Sequence, residues 1–436
     1  MIEELLNIAN DAIASAASLG ADAAEASVVD SRSTDVEIRQ GQIEKLEGAE
    51  ARRISLTVYS GKSSASISGA VLTRDAIHRL AGKALAMARL APANPYAGIA
   101  DGAQLATSFP DLDLVSANLP DATELERMAR AVEHAALSVS GVSKSGGASA
   151  SAGDRSVALA ISNGFARGYR KTGLSIGVSA ITGDGTGMER DYDYSSTIHF
   201  GDLRSPESVG LEAGQRAVRR LGSRKVKSQA VPVVFDKRIA ASLIGHMLSA
   251  VNGSAIARGT SFLKNDLGKR IFTKGITIVE DPLMVRGLGS RSFDGDGLPV
   301  SKRNLIEEGV LTSWLLDLRS ARQLELAPTG HGSGSSNVYL RPGSASRDGL
   351  LRDIGHGLYV TEMIGSSINM VTGDYSRGAS GFWIENGELT YPVSEITIAG
   401  NLRDMFLHVT PADDLEFRTS INAPTCMVEG LTIAGL

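Results

Sequence analysis

The stretch VTGDYSRGASGFWIENGELTYPVSEITIAGNL, residues 371–402, decides how the second half of this chain folds. Its opening segment, residues 372–381, is rich in Gly and Ser, which is typical of an irregular loop with several turns. Asn386-Gly387 then separates two apolar runs and predicts a hairpin, because both central residues of a type I′ turn need positive φ. Residues 389–398 alternate roughly between apolar and polar, as in a half-buried strand. The stretch predicts a polar loop held by a rigid hairpin, which suits a binding surface.

Length and composition indicate a soluble globular protein with more than one domain. At 436 residues the chain can form two or more domains with a large core, and contents of 42% hydrophobic and 21% charged residues are ordinary. The net charge is −5, and the short basic cluster at residues 219–227 is interpreted as a solvated linker. A nucleic-acid-binding protein needs a broader basic footprint, so we expect no nucleic-acid partner.

Cysteine usage and the N-terminal segment predict a cytoplasmic protein. Cys426 is the only cysteine, so no intrachain disulfide framework is possible, and we expect it to be a small buried apolar side chain. Residues 1–16 are acidic and amphipathic and lack the basic start and apolar core of a signal peptide. No run of about 18 apolar residues occurs, so neither a membrane span nor a membrane partner is expected.

The apolar periodicity predicts an α+β fold in two domains. In residues 1–222, helical spacing and short strands indicate a two-layer α/β domain with antiparallel strands. Helices are predicted there at residues 2–19, 75–90, 121–138 and 207–221, strands at residues 24–29, 34–39, 43–50 and 53–59, a hairpin around residues 152–155 and a turn at residues 162–164. Residues 230–436 predict a mainly antiparallel β domain, closed on itself, with a few helices.

Four further motifs accompany the hairpin stretch in the second half. They are SRSFDGDG at residues 290–297, NLIEEGVL at residues 304–311, LDLRSA at residues 316–321 and GLTIAG at residues 430–435. Together with residues 371–402 they resemble the TldD/PmbA family, known as modulators of DNA gyrase or metalloproteases, and within it the PmbA (TldE) branch. The resemblance covers the second half strongly and the first half by general pattern. It implies the same division into two domains.

The resemblance also implies a zinc motif that this chain does not complete. TldD-type subunits are metalloproteases with a His-Glu-x-x-x-His motif on a helix, and zinc needs at least three protein ligands, an open position and a nearby base. On the helix predicted at residues 237–251, Ala241 takes the place of the first His, Ser242 that of the Glu and His246 that of the second His.

Neither replacement can do the missing chemistry. A methyl group cannot ligate zinc, and a hydroxyl is a poor base at neutral pH. The family's further cysteine ligand has no match in this sequence. We therefore expect no catalytic residue and no metal ligand set in this chain, and zinc only in a TldD-type partner.

Three other motifs favour structural roles. GLSIG at residues 173–177 matches G-x-S-x-G but lies in an alternating strand, without the strand-to-helix turn of a nucleophile elbow. FDGDG at residues 293–297 lacks the third acidic position and the closing Glu of a calcium loop, so a tight turn is predicted. TGHGSGSS at residues 329–336 could cradle a phosphate but has no lysine partner, so we predict a flexible loop with His331 facing solvent.

Asp374 and Arg377 are the polar residues of the 372–381 segment that we most readily associate with function. Two roles stay open for them. They can line a substrate cleft, or they can form an internal salt bridge that fixes the loop.

The resemblance implies a subunit of a protease system. The family pairs a PmbA/TldE-like chain with a TldD-type zinc protease that cleaves unfolded or modified peptides, and two chains of one fold can meet about a two-fold axis. We expect this chain to lack the metal and to form a hetero-oligomer with a TldD-type partner, or a homodimer. Two alternatives stay open: an independently active peptidase or hydrolase with an unrecognised site, and a homodimeric protein that binds peptides without cleaving them.

Overall fold

The computed structural model describes residues 1–435, without the side chain of Ser366, and confirms the α+β class. The first half contains α1 (Ile2–Ser18), β1 (Ala23–Arg39), β2 (Gln42–Ser60), β3 (Ser63–Gly69), α2 (Arg74–Leu90), α3 (Ala122–Leu137), β4 (Val142–Ile161), β5 (Ala166–Thr182), β6 (Glu189–Thr197) and α4 (Pro206–Arg219). Short 3₁₀ helices lie at Gly102–Gln104, Gly185–Gly187 and Phe200–Asp202.

The second half contains more strands than helices. In order they are β7 (Gln229–Phe235), α5 (Lys237–Ala250), α6 (Gly253–Ala257), β8 (Ile278–Glu280), β9 (Arg303–Glu307), β10 (Val310–Leu311), α7 (Leu318–Gln323), β11 (Val338–Leu340), α8 (Arg347–Arg352), β12 (His356–Ile368), β13 (Asp374–Glu385), β14 (Glu388–Asn401), α9 (Leu402–Leu407), β15 (Val409–Pro411), β16 (Ile421–Asn422) and β17 (Cys426–Ala434). Within residues 1–435, no helix combines the length and apolarity needed to cross a membrane.

The first half forms one antiparallel sheet in the order β3-β2-β1-β4-β5-β6, with helices packed on one face. Along β5, side chains alternate in burial, and Leu174, Ile176 and Val178 pack against α3 in one apolar cluster. The two strands predicted at residues 24–29 and 34–39 form the single strand β1, and those predicted at residues 43–50 and 53–59 form β2. The hairpin predicted around residues 152–155 is wrong, because β4 stays paired there with β1 and with β5. The turn at residues 162–164 is confirmed between β4 and β5.

The second half forms two sheets around a large apolar core. One has the order β10-β9-β8-β11-β16, and the other runs β14-β13-β12-β7-β17-β15 with an additional β14–β17 pairing. That pairing closes the second sheet on itself, as predicted. Leu243 and Met247 of α5 belong to the same core as Val233 and Phe235 of β7. The first sheet uses only residues 23–197 and the other two only residues 229–434, and a domain boundary between residues 222 and 230 remains our prediction.

The hairpin in residues 371–402 is confirmed, but the loop predicted before it is wrong. Asn386 and Gly387 have φ of 53° and 81°, so the turn between β13 and β14 is of the expected left-handed kind. From Asp374 onward the chain is already a strand, paired with β12 on one side and β14 on the other. Gly381 belongs in this strand because a Cβ there would lie 1.9 Å from the carbonyl oxygen of Tyr359. Its glycine reflects close strand packing and not a turn.

Buried ion pairs tie the first half to the second. The Asp193 carboxylate on β6 is fully buried and binds Arg216 at 2.9 Å, Arg418 at 2.5 Å and Arg204 at 2.5 Å. Burial opposes ionisation of Asp193, but these guanidinium groups outweigh it and hold its pKa below the usual value. Since Arg418 follows β15, this carboxylate joins the two halves of the chain.

Two further ion pairs also join the halves. Arg220, which we predicted to lie in a solvated linker, is buried, and its Nη1 binds Glu362 of β12 at 2.7 Å. Arg238 at the start of α5 binds Asp191 of β6 at 2.8 Å. The linker prediction is therefore wrong at Arg220, because this side chain pairs with a carboxylate far away in the sequence.

Asp193→Asn should destabilise the protein strongly, because it leaves three arginines around a neutral, buried side chain. We expect the free energy of unfolding, measured by urea titration, to fall by about 3–5 kcal/mol. Glu124→Gln is the matched control, since it removes the exposed pair with Arg127 and should cost less than about 1 kcal/mol. Equal losses in the two variants would contradict this assignment.

Candidate functional site

The helix α5 carries Ala241, Ser242 and His246, which the family resemblance predicts to be the positions of a zinc motif. It begins at the N-cap Asp236, whose side chain accepts a hydrogen bond from the Arg238 amide at 2.9 Å. Leu243 and Met247 point into the core. Ser242 and His246 are one turn apart, so they share a second face, which is turned toward the strands β12 and β13.

His246 is held as a neutral imidazole in an apolar and cationic setting. Its ring lies 5.9 Å from the ring of Tyr375 in an edge-to-face arrangement, and its buried Nε2 has no hydrogen-bond partner among the described residues. Burial, and then the nearby Arg377, lowers the pKa of His246 to about 4. The buried hydroxyl oxygen of Ser242 likewise has no partner in residues 1–435.

The side chains around His246 do not fit a zinc ion. Zinc in a catalytic site needs three protein ligands, but Ala241 and Ser242 supply none beside the single imidazole. The charged neighbour that shifts the His246 pKa is Arg377, a cation, which would repel a metal. Across residues 1–435, no group of three His, Cys, Asp or Glu side chains is arranged to hold a metal.

Cys426 also lies apart from any such site. It is buried at the start of β17, where its Sγ donates to the Pro424 carbonyl, and burial raises the pKa of the thiol. The predicted buried position is confirmed. A thiol that resists ionisation is neither a good ligand nor a nucleophile.

A cleft between the two halves adjoins this face of α5. A cavity of about 380 Å³ is lined by Arg190, Tyr192, Arg238, Ser242, Glu362 and Arg377. A neighbouring cavity of about 550 Å³ shares Arg238 and adds apolar Phe382 and Leu389. Polar anchors beside apolar walls are typical of a cleft that binds a peptide or a small molecule.

The carboxylates of this cleft are already engaged. Glu362 binds Arg220 at 2.7 Å and Arg190 at 3.3 Å. Asp236 accepts a hydrogen bond from the Tyr359 hydroxyl at 2.7 Å and contacts Arg238, and its pKa is lowered because the nearby arginine and these hydrogen bonds outweigh burial. A carboxylate held by arginines is a weak base, so the cleft is better suited to binding than to activating water.

The structure separates the two polar residues predicted in the 372–381 segment. Arg377 donates from Nε to the Gly365 carbonyl at 2.8 Å and lines the 380 Å³ cavity beside Ser242. Asp374 instead accepts from the Thr372 hydroxyl at 2.6 Å and faces a different cavity. The internal salt bridge between them is therefore wrong. A cleft role remains a prediction for Arg377 and, at the other cavity, for Asp374.

The other sequence motifs have structural roles. Ser175 lies in the middle of β5, opposite Ser196, so no nucleophile elbow forms there. The predicted tight turn at residues 293–297 is confirmed: Asp294 Oδ1 accepts from the amides of Asp296 and Leu298. Gly297 in this turn has φ of 77°, which favours glycine.

The prediction that His331 faces solvent is wrong. His331 is 6% exposed, and it is hydrogen-bonded through Nδ1 to the Thr329 hydroxyl and through Nε2 to Glu280, each at 2.7 Å. The other oxygen of Glu280 accepts from Ser336, so the 329–336 segment is fixed to β8 at both ends. Local sequence carries no signal for this, because the partner lies 51 residues away.

Asp296→Asn should stabilise the protein at alkaline pH. Burial, and then the neighbouring Asp294, raises the pKa of Asp296 from 3.8 to about 7. Between these values the folded state binds the proton more tightly than the unfolded state, so ionisation costs stability as pH rises through 7. Asn keeps an acceptor for the Leu318 amide. We expect a gain of about 1–3 kcal/mol at pH 8 that shrinks as pH falls toward 5, by urea titration at each pH. A gain independent of pH would contradict the prediction.

His246→Gln should reduce the loss in the free energy of unfolding that occurs as pH falls below 6.5. Because the folded pKa, about 4, lies below the unfolded value of 6.5, the unfolded state takes up the proton first as pH falls. The wild type should lose stability progressively from pH 6.5 toward 4, and the variant should lose less across this window. His78→Gln, at an exposed position, controls for the missing imidazole. Identical slopes for wild type and His246→Gln would contradict a buried neutral histidine.

Comparison with known proteins agrees with this architecture. Domain models of the PmbA/TldA metallopeptidases match residues 24–88 (domain 1), 115–221 (central domain) and 228–435 (C-terminal domain). Metalloprotease PmbA of Escherichia coli O157:H7 is 37% identical, over 100% of this chain and 98% of the relative. A Metalloprotease PmbA homolog of Haemophilus influenzae is 34% identical, over 99% and 96%.

Solved structures give the same result. A Bacteroides thetaiotaomicron protein, named for a proposed role in modulating DNA gyrase, superposes with a TM-score of 0.94 at 30% identity, covering 100% of both chains. TldE of Thermococcus kodakarensis superposes with a TM-score of 0.85 over 98% of this chain and 100% of its own, and at 19% identity this shows the fold alone.

The three domain models, which together span most of the chain, place it in the class of PmbA/TldA metallopeptidase folds. The chain belongs to the PmbA/TldD family, in its PmbA/TldE branch.

Proposed function

We propose that this chain is the subunit without catalytic metal in a two-component protease of the PmbA/TldD family. It works beside a TldD-type zinc subunit that cleaves unfolded or modified peptides. In this arrangement the chain contributes one wall of the substrate cavity and stabilises its partner. We place this assembly in the cytoplasm.

One observation supports the proposal: the helix α5 is firmly packed, but the residues at its predicted motif positions do not supply a zinc ligand set or a base. The Asp236 cap, the buried face of α5 and the contact of His246 with Tyr375 keep the helix in place. Ala241 and Ser242 stand where a ligand and a base would be needed, and the single imidazole has a lowered pKa beside a cation. The helix is well packed although its side chains can neither ligate zinc nor act as a base. This combination supports a role in assembly and substrate binding.

The cleft supports peptide binding. It combines arginine side chains with the apolar Phe382 of β13 and Leu389 of β14. Arginine can bind peptide carbonyls and carboxylates, and the apolar wall can take a side chain. Family membership supports peptides as the ligand class, since relatives over the full length are named metalloproteases.

The test is reconstitution of cleavage from separate chains. We expect the purified chain with added zinc to leave an unfolded, casein-like substrate intact, and a mixture with a TldD-type chain from the same organism to cleave it. Replacing the glutamate of the partner's His-Glu-x-x-x-His motif should abolish cleavage by the mixture, because that residue is the base. The readout is peptide release followed by mass spectrometry.

His246→Gln in this chain is the decisive companion variant. We expect the mixture that contains it to keep cleavage within about tenfold of wild type, since the imidazole takes no part in the chemistry. Turnover by this chain alone that is lost on His246→Gln would overturn the proposal. Peptide binding without cleavage, whether or not the partner is present, would favour the homodimeric binding protein instead.

A further inference from the structure

A second concave surface lies on the opposite side of the first sheet from its helices. It consists of a cavity of about 480 Å³ between β4, β5 and the loop after β8, and an adjoining cavity of about 430 Å³ over β1 and β2. The two share Ser31 and Arg155, so they form one groove. We call this surface the basic groove and define it by Arg53, Arg155, Lys171 and Arg291.

Two of its cations face each other across neighbouring strands. Ser31 of β1, Arg155 of β4 and Lys171 of β5 are direct partners in the sheet register, so their side chains form one row on one face. Like charges directly opposite in a sheet destabilise it, so this pairing needs a reason other than stability. Burial, and then the nearby Arg291 and Arg155, lowers the pKa of Lys171 to about 8.

No carboxylate within residues 1–435 forms an ion pair with any of the four cations. The Lys171 amine donates to the Leu288 carbonyl, and Arg291 donates to the carbonyls of Ser333 and Gly334. The buried Nε of Arg291 has no hydrogen-bond partner among the described residues, and burial lowers the pKa of this guanidinium. Asp154, which lines the groove, is paired with Arg170. Glu280 near Arg291 is hydrogen-bonded to His331 and Ser336. An incoming anion would therefore meet four cations that are in direct ion pairs with none of the described carboxylates.

The floor of the groove leaves room for an extended chain. On the same face, the next row after Ser31, Arg155 and Lys171 is Ser33, Gly153 and Gly173, where two of three residues have no side chain. Neighbouring strands lie about 4.8 Å apart, so the cations are spread over several strand spacings and not gathered around one point. A single small anion could pair with the cations at one end of the groove only, whereas an extended segment can reach several of them.

We propose that the basic groove binds an extended peptide segment through its carboxylate side chains. The proposal rests on the proposed function for its ligand class and specifies acidic peptides within that class. A nucleic acid fits less well, because four cations on a chain with a net charge of −5 give no broad positive field for a phosphate backbone. The groove is distinct from the cleft beside α5, so it would hold a substrate away from the position of the metal motif.

The test is equilibrium binding to the full chain alone, without partner or zinc. The probe is a fluorescent Gly/Ser peptide of about ten residues, roughly 33 Å when extended, with glutamate at alternate positions. Its controls are the same peptide with glutamine, an oligothymidylate of equal length, and competition by inorganic phosphate. We expect saturable binding of the glutamate peptide that weakens as salt is raised, and at least about tenfold weaker binding of the glutamine peptide.

Arg155→Gln with Lys171→Gln tests the groove directly. This double variant should weaken binding of the glutamate peptide by about tenfold or more. It should fold at least as stably as wild type, because it removes a like-charge pair, so thermal unfolding of the variant separates lost binding from lost structure. Arg79→Gln with Lys83→Gln, exposed on α2 on the other face of the sheet, makes the same charge change and should alter binding less than about twofold.

Several outcomes would overturn the proposal that the basic groove binds acidic peptides. Equal affinity for the glutamate and glutamine peptides, equal losses in the two double variants, or tighter binding of the oligothymidylate would each do so. Full displacement by millimolar phosphate together with indifference to peptide sequence would show a simple anion site. If acidic peptides bind here but the mixed complex cleaves nothing, the proposed function fails and the groove stands. If the mixture cleaves but no acidic peptide binds, only the groove fails.

Discussion

A buried carboxylate holds the two halves of this molecule together. The Asp193 side chain has no exposed surface and forms ion pairs with three arginines. One of them, Arg418, belongs to the second half of the chain. Such a cluster is stable only when every charge is matched, because an unpaired ion in the interior costs several kcal/mol, on the order of 3–5. The positions of β6 and of α5 relative to each other follow from this constraint, since Arg238 on α5 is bound by Asp191 next to it.

The same ion pairs explain the chemistry of the cleft. The carboxylates that could act as a base beside α5 are used to hold arginines, and the one imidazole on the motif helix lies near another arginine. The cleft therefore presents arginine donors and apolar walls to a ligand, and Glu362 and Asp236 in its wall are engaged by arginines. The carboxylates that join the two halves are the same ones that could have served as a base. Because arginines hold them in ion pairs, they are weak bases.

Local rules predicted the elements that depend on local chemistry. The Asn386-Gly387 turn was predictable because positive φ at two successive residues restricts the choice of amino acid. The helix α5 was predictable from its apolar spacing. The segment before the hairpin was not, since Gly381 is required by the carbonyl of Tyr359, a contact that sequence does not display. His331 was misplaced for the same reason, because its partner Glu280 lies on another strand. Close packing and distant ion pairs set these features, and neither leaves a periodic pattern.

We expect the helix α5 of this chain to carry no zinc. The most direct test is the zinc content of the purified chain, measured by elemental mass spectrometry after dialysis against zinc and then buffer, alone and in complex with a TldD-type chain. We expect no stoichiometric zinc in the chain alone and, in the complex, zinc in proportion to the partner. Stoichiometric zinc in the chain alone, lost in His246→Gln, would contradict this expectation.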